Sequence, residues 1–140
     1  MPVGTPVEVR ALTKRYGPIA AVSDATFTAQ PGRVTGFLGP NGAGKTTTLR
    51  VLLGLARATS GTATFGGTEY GRLDDPARTV GASLSSDVFH PGRSGRDHLR
   101  VLQVAAGLEA ERVDAVLQRV GMTDAADRRV GGYSLGMRQR

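Results

Sequence analysis

The stretch GPNGAGKTTT, Gly39–Thr48, packs three glycines, one lysine and three threonines into ten positions. Lys45 is one of only two lysines, with Lys14, in a 140-residue chain that carries 18 basic side chains. Glycine has no Cβ, so such a stretch can curl tightly and let another group come close to its backbone. A lone cation at its end says that the group is anionic.

The stretch fits G-x-x-x-x-G-K-[ST] through Gly39, Gly44, Lys45 and Thr46. Before it, RVTGFL (Arg33–Leu38) reads as a short, mostly apolar strand. After it, Leu49, Leu52, Leu53 and Ala56 recur at i, i+3, i+4 and i+7, the spacing of one helix face. Strand, glycine loop and helix together define a phosphate-binding loop. Its cradle would be Gly39, Pro40, Asn41, Gly42, Ala43, Gly44, Lys45, Thr46 and Thr47. Backbone N–H groups and the positive end of the helix would face the phosphates. Lys45 would reach the β and γ phosphates, and the Thr46 hydroxyl would ligate Mg²⁺. The plain alternative is a glycine-rich helix cap, but chance gives the pattern in roughly one in two hundred chains of this composition. D-x-x-G and N-K-x-D are both absent, which argues against a guanine nucleotide.

The remaining composition narrows the class. The chain is long enough for one domain with a real core and too short for two. With 39% hydrophobic and 21% charged residues it reads as globular. Having no cysteine, it has no disulfides or thiolate metal sites. The longest apolar run, Val51–Ala56, is too short to span a bilayer, and MPVGTPVEVR lacks the apolar core of a signal peptide. A soluble, cytoplasmic protein is expected. The net charge of +6 comes from dispersed arginines, only Arg128 and Arg129 being adjacent, so a solvated face is favoured over a nucleic-acid site.

Outward from the loop, Val7–Leu12 alternates as a half-buried strand, KRYGPIA reads as a turn, and Ala21–Ala29 as a second strand. ATSGTATFGG reads as turn, strand and turn, and Val80–Leu84 as one more strand. Two helices follow, near Arg96–Ala106 and Glu109–Val120. The first has Leu99, Leu102 and Ala106 on one side, and the second Val113, Val116, Leu117 and Val120. Ser134 is placed to cap a further helix. His90 and His98 have no carboxylates at ligand spacing and read as structural.

In colinear order, almost the whole chain resembles the nucleotide-binding domain of ATP-binding cassette (ABC) transporters. LTKRYG resembles the segment whose aromatic residue, here Tyr16, stacks on adenine. GPNGAGKTTTLRVLLGL is similar to the family's Walker A loop and helix, and ATSGTATFGG to the hairpin after it. YSLGMRQR resembles the signature, especially that of bacterial drug- and peptide-export ATPases, with Ser134 and Gly136 at the ligand-facing positions.

The resemblance implies an α/β P-loop NTPase fold with an antiparallel β-subdomain, a mostly parallel core sheet and the start of a helical subdomain. Residues 1–140 would be the N-terminal part of one such domain. It further implies ATP and Mg²⁺ as ligands and separate transmembrane permease subunits as partners. A second ATP-binding subunit would pair head to tail, so that Ser134 and Gly136 face the partner's ATP. Placement on the inner face of the cell membrane follows.

Two departures stand out. The family's Mg²⁺-touching glutamine is replaced by Ser85, and no glutamine lies between Gln30 and Gln103. No apolar run ending in Asp-Glu occurs, so the Walker B pair that anchors Mg²⁺ and polarises the attacking water is missing, and with it any assignable catalytic residue. An exporter ATPase subunit that this chain alone cannot power is the first reading. A non-hydrolytic module that regulates full-length subunits is the second, and a soluble ABC protein acting on DNA or ribosomes the third.

Overall fold

A computed structural model describes residues 4–84 and 89–140. The chain divides into two compact units, 1–80 and 81–140, each with its own apolar cluster.

In the first unit, β1 (Val7–Tyr16), β2 (Ile19–Ala29) and β3 (Ser60–Phe65) form an antiparallel sheet in the order β2-β1-β3. β1 and β2 run further toward each other than their alternation suggests, and Tyr16 pairs with Ile19 across a turn at Gly17 and Pro18. The alternation is hidden by bulges. Ala11 and Asp24 both take a φ of 47°, and the register shifts on either side of Leu12. The Thr26 and Thr13 hydroxyls accept from the Ala11 and Asp24 N–H groups, so the irregular backbone is hydrogen-bonded. β3 ends in a two-residue turn in which Gly66 and Gly67 have φ of 57° and 82°, the left-handed pair that a tight hairpin turn requires.

The helix α1 (Lys45–Leu52) packs Val51 and Leu52 with Val9, Leu12, Val22, Ala63 and Phe65. The face it buries differs from the one expected. Thr48 is 1% exposed and Leu49 is 40% exposed. Thr48 can turn inward because its hydroxyl donates to the Gly44 carbonyl one turn back, at 3.0 Å.

Two expected strands are corrected. Residues 33–38 and 80–84 form no strand, and the only sheet among the described residues is antiparallel, so the mostly parallel core sheet is not formed there. A parallel strand is held by neighbours on its edges, and no described segment supplies one to RVTGFL. Val34 and Leu38 stand in solvent, and Phe37 is held by its ring against Phe27, 4.9 Å between centroids. A four-residue helix, α2 (Pro76–Thr79), ends the unit, capped by Asp75.

The second unit is helical. α3 (Gly95–Ala105) and α4 (Glu111–Arg119) pack together, Ser94 capping the first through the Asp97 N–H. Val113 and Leu117 are buried as the periodicity requires, with Met122, Ala126, Val130 and Tyr133. On α3 only Leu99 joins this cluster, and Leu102 is 54% exposed. Arg96 ties three segments together through ion pairs to Asp114 and Asp127, at 2.8 Å to the latter. The hydrogen bonds it donates to the Asp127 and Asp114 carboxylates raise its guanidinium pKa further. The last helix, α5 (Leu135–Gln139), is capped by Ser134, which accepts from the Met137 N–H at 3.3 Å.

Candidate functional site

The glycine loop lies between residue 38 and α1, and its conformation follows from its glycines. Gly42 and Gly44 have φ of 85° and 84°, a left-handed backbone that side chains with a Cβ rarely adopt. Gly44 is the residue just before the helix, and it is also where the loop touches the sheet. A Cβ there would overlap the Ala21 carbonyl and approach Val22 Cγ2 to 2.8 Å. Gly39 faces Ala43 across the curl, and the Ala43 N–H donates to the Pro40 carbonyl at 3.2 Å.

The start of α1 has no side-chain cap and no acidic residue in its first turn. Its leading N–H groups are donors awaiting an external acceptor. Lys45 arches back over the loop, Nζ donating to the carbonyls of Gly39 at 2.6 Å and Pro40 at 2.7 Å. Thr46 is exposed and Thr47 half-buried. Positive-φ glycines, an uncapped helix start and an ammonium form a donor-rich surface, which fits a polyphosphate. Among the described residues no cluster of three or more His, Cys, Asp or Glu could hold a metal. A Mg²⁺ carried in on phosphates would find one hydroxyl here and would take water at its other positions.

Tyr16 stands at the end of β1, 50% exposed, with Lys14 Nζ 4.6 Å from its ring centroid. Lys14 pairs across the ladder with Val22, the residue that Gly44 approaches. Ring and loop are therefore brought to neighbouring positions on the sheet, a relation that sequence spacing does not reveal. The signal that could have found Lys14 was its rarity.

The remaining assignments separate. Ser134 and Gly136 are exposed at the start of α5, in the second unit. Ser85 lies outside the described residues. His90 serves a local turn, its Nδ1 accepting from the Gly92 N–H at 3.2 Å, while His98 Nδ1 is buried without a partner among the described residues. A cleft of about 530 Å³ near Arg57, Tyr70 and Arg72 includes no glycine-loop residue and is not part of this site.

Comparison with known proteins identifies the family. The sequence profile of the ABC transporter family matches residues 22–140. The chain belongs to that family. It is 35% identical over 140 residues to the bacitracin transport ATP-binding protein of Bacillus licheniformis, covering 99% of this chain and 46% of that protein. It is 31% identical over 134 residues to the lantibiotic transport ATP-binding protein of Streptococcus pyogenes, covering 96% and 58% respectively. A solved ATP-binding subunit of an ABC transporter shares the fold, with a TM-score of 0.74 at 24% identity over 95% of this chain and 57% of that one. The chain spans about half the length of the first curated relatives it matches.

Proposed function

We propose that residues 1–140 are the N-terminal part of an ABC nucleotide-binding domain that binds ATP·Mg²⁺, as part of the ATP-binding subunit of an exporter. The observation that carries this reading is the glycine loop: positive φ at Gly42 and Gly44, an uncapped helix start, and Lys45 over the loop mouth. Gly39, Pro40, Asn41, Gly42, Ala43 and Gly44 form the cradle, and Lys45, Thr46 and Thr47 the donors at the helix start. Thr46 is the Mg²⁺ ligand, and Ser85 stands where a second ligand is expected. Bound Mg²⁺ would neutralise charge on the phosphate oxygens. Tyr16 offers its ring to adenine, a stacking surface that every adenine nucleotide shares.

Export is supported by the relatives' names, which include bacitracin and lantibiotic transport and Nod factor export. Among the described residues no helix is long and apolar enough to cross a membrane. By resemblance to the family, passage through the bilayer is assigned to separate permease subunits, with this protein peripheral on the cytoplasmic face. Ser134 and Gly136 are assigned to the ATP of a second subunit, paired head to tail.

Turnover is a separate matter. The sequence contains no Asp-Glu pair to hold Mg²⁺ and polarise water, so the chain alone is expected to bind ATP and leave it intact. Phosphate release by purified 1–140, compared with Lys45→Ala, is the test. Robust turnover abolished by Lys45→Ala would overturn the inactive assignment.

A further inference from the structure

The ring of Tyr16 has two faces, and Lys14 occupies one of them. With the ammonium 4.6 Å from the centroid, a flat ligand has only the opposite face, and the residue's 50% exposure leaves ring surface open to one. Among the described residues the Lys14 side chain has no hydrogen-bond or ion-pair partner, so the ring is its one polar contact. Its ladder partner, Val22, is the residue that Gly44 approaches. The backbone of Lys14 is thus placed opposite the strand residue that the phosphate loop contacts.

Composition points the same way. The chain has 18 lysines and arginines, and only Lys14 and Lys45 are lysine. Arginine is its habitual cation, a planar fork suited to carboxylates and to broad stacking. A compact ammonium concentrates its charge at one point, which suits the face of a single ring with little room around it. The two places where this chain departs from arginine are the loop that would take phosphates and the ring that would take the base.

We propose that Lys14 is a positioning residue for adenine. It holds the Tyr16 ring from behind by a cation–π contact and so presents the other face beside the phosphate loop. The inference rests on the nucleotide-binding reading above. Lys14 touches the ring and leaves the phosphates to Lys45.

Calorimetric titration of the purified protein with AMP, ATP and inorganic tripolyphosphate tests this. Lys14→Met keeps the stem and removes the charge. It should weaken AMP and ATP alike by about two- to fivefold, the size of an exposed cation–π contact, and leave tripolyphosphate unchanged. Lys14→Arg should recover most of the loss, since a guanidinium also makes the contact. In a Tyr16→Leu background Lys14→Met should have no further effect, because the coupling disappears with the ring. A loss that grows with phosphate number, an equal loss with and without the ring, or no loss at all would each overturn the proposal. Failure of the underlying reading looks different: Lys45→Ala would then leave ATP and tripolyphosphate binding untouched.

Discussion

Lys45 closes its own loop on Gly39, Nζ to carbonyl oxygen at 2.6 Å. Gly39 and Pro40 take two of the ammonium's three donors and hold it over the loop, leaving the third for a phosphate oxygen. That contact is a strong one, because hydrogen bonds between charged groups are about twice as strong as neutral ones. Lys45→Ala should weaken ATP binding by roughly tenfold to a hundredfold, the equivalent of about 1.5–3 kcal/mol. Calorimetry giving equal affinity for the two proteins would remove the phosphate-loop assignment.

Tyr16 should behave differently. It makes no charge contact with phosphate in this reading, so Tyr16→Ala should weaken ATP, ADP and AMP by a similar factor. About tenfold lies within the range measured for base–aromatic stacking. If AMP binds the variant as tightly as it binds the wild type, the base platform lies elsewhere.

In the helical unit, the buried Tyr133 hydroxyl donates to the Ala125 carbonyl at 2.6 Å. Tyr133→Phe keeps the packing and removes this bond, while the Ala125 carbonyl still accepts from the Arg128 N–H, so the cost should be about 0.5–1.5 kcal/mol. Thermal denaturation followed by circular dichroism should show a lower midpoint for the variant, and an unchanged midpoint would show that the bond contributes nothing net.

How much of this was readable beforehand differs by element. The glycine loop and α4 were legible because their signals are local: fixed spacing in one, a clean 3.6-residue period at Val113 and Leu117 in the other. The buried face of α1 was misread because a periodicity count treats Thr48 as neutral, while a back-bond to Gly44 lets it enter the core ahead of Leu49. RVTGFL has the pattern of a strand without forming one, because apolar runs reveal burial propensity and say nothing about whether a partner exists. That Lys14 lies opposite Val22, the residue Gly44 meets, depends on ladder register, and the bulges around Leu12 make that register unreadable from alternation.

The unpaired segment makes its own prediction. With no ladder bonds among the described residues, the amides of Val34–Leu38 should exchange with deuterium far faster than those of β1. Mass spectrometry of peptides covering both segments would decide it, and protection of 34–38 equal to that of β1 would show that the segment is paired in solution.

The contact of Gly44 with β2 has a genetic consequence. Most damaging substitutions can be relieved by trimming the neighbour they strike, and Val22→Ala would make room on one side. The other obstruction is the Ala21 carbonyl, which every amino acid carries. The left-handed backbone at φ 84° adds a cost of about 1–2 kcal/mol for any residue with a Cβ. A suppressor screen started from Gly44→Ala should therefore return reversion to glycine and no compensating change on β2. Position 44 has no second-site remedy within its own contacts.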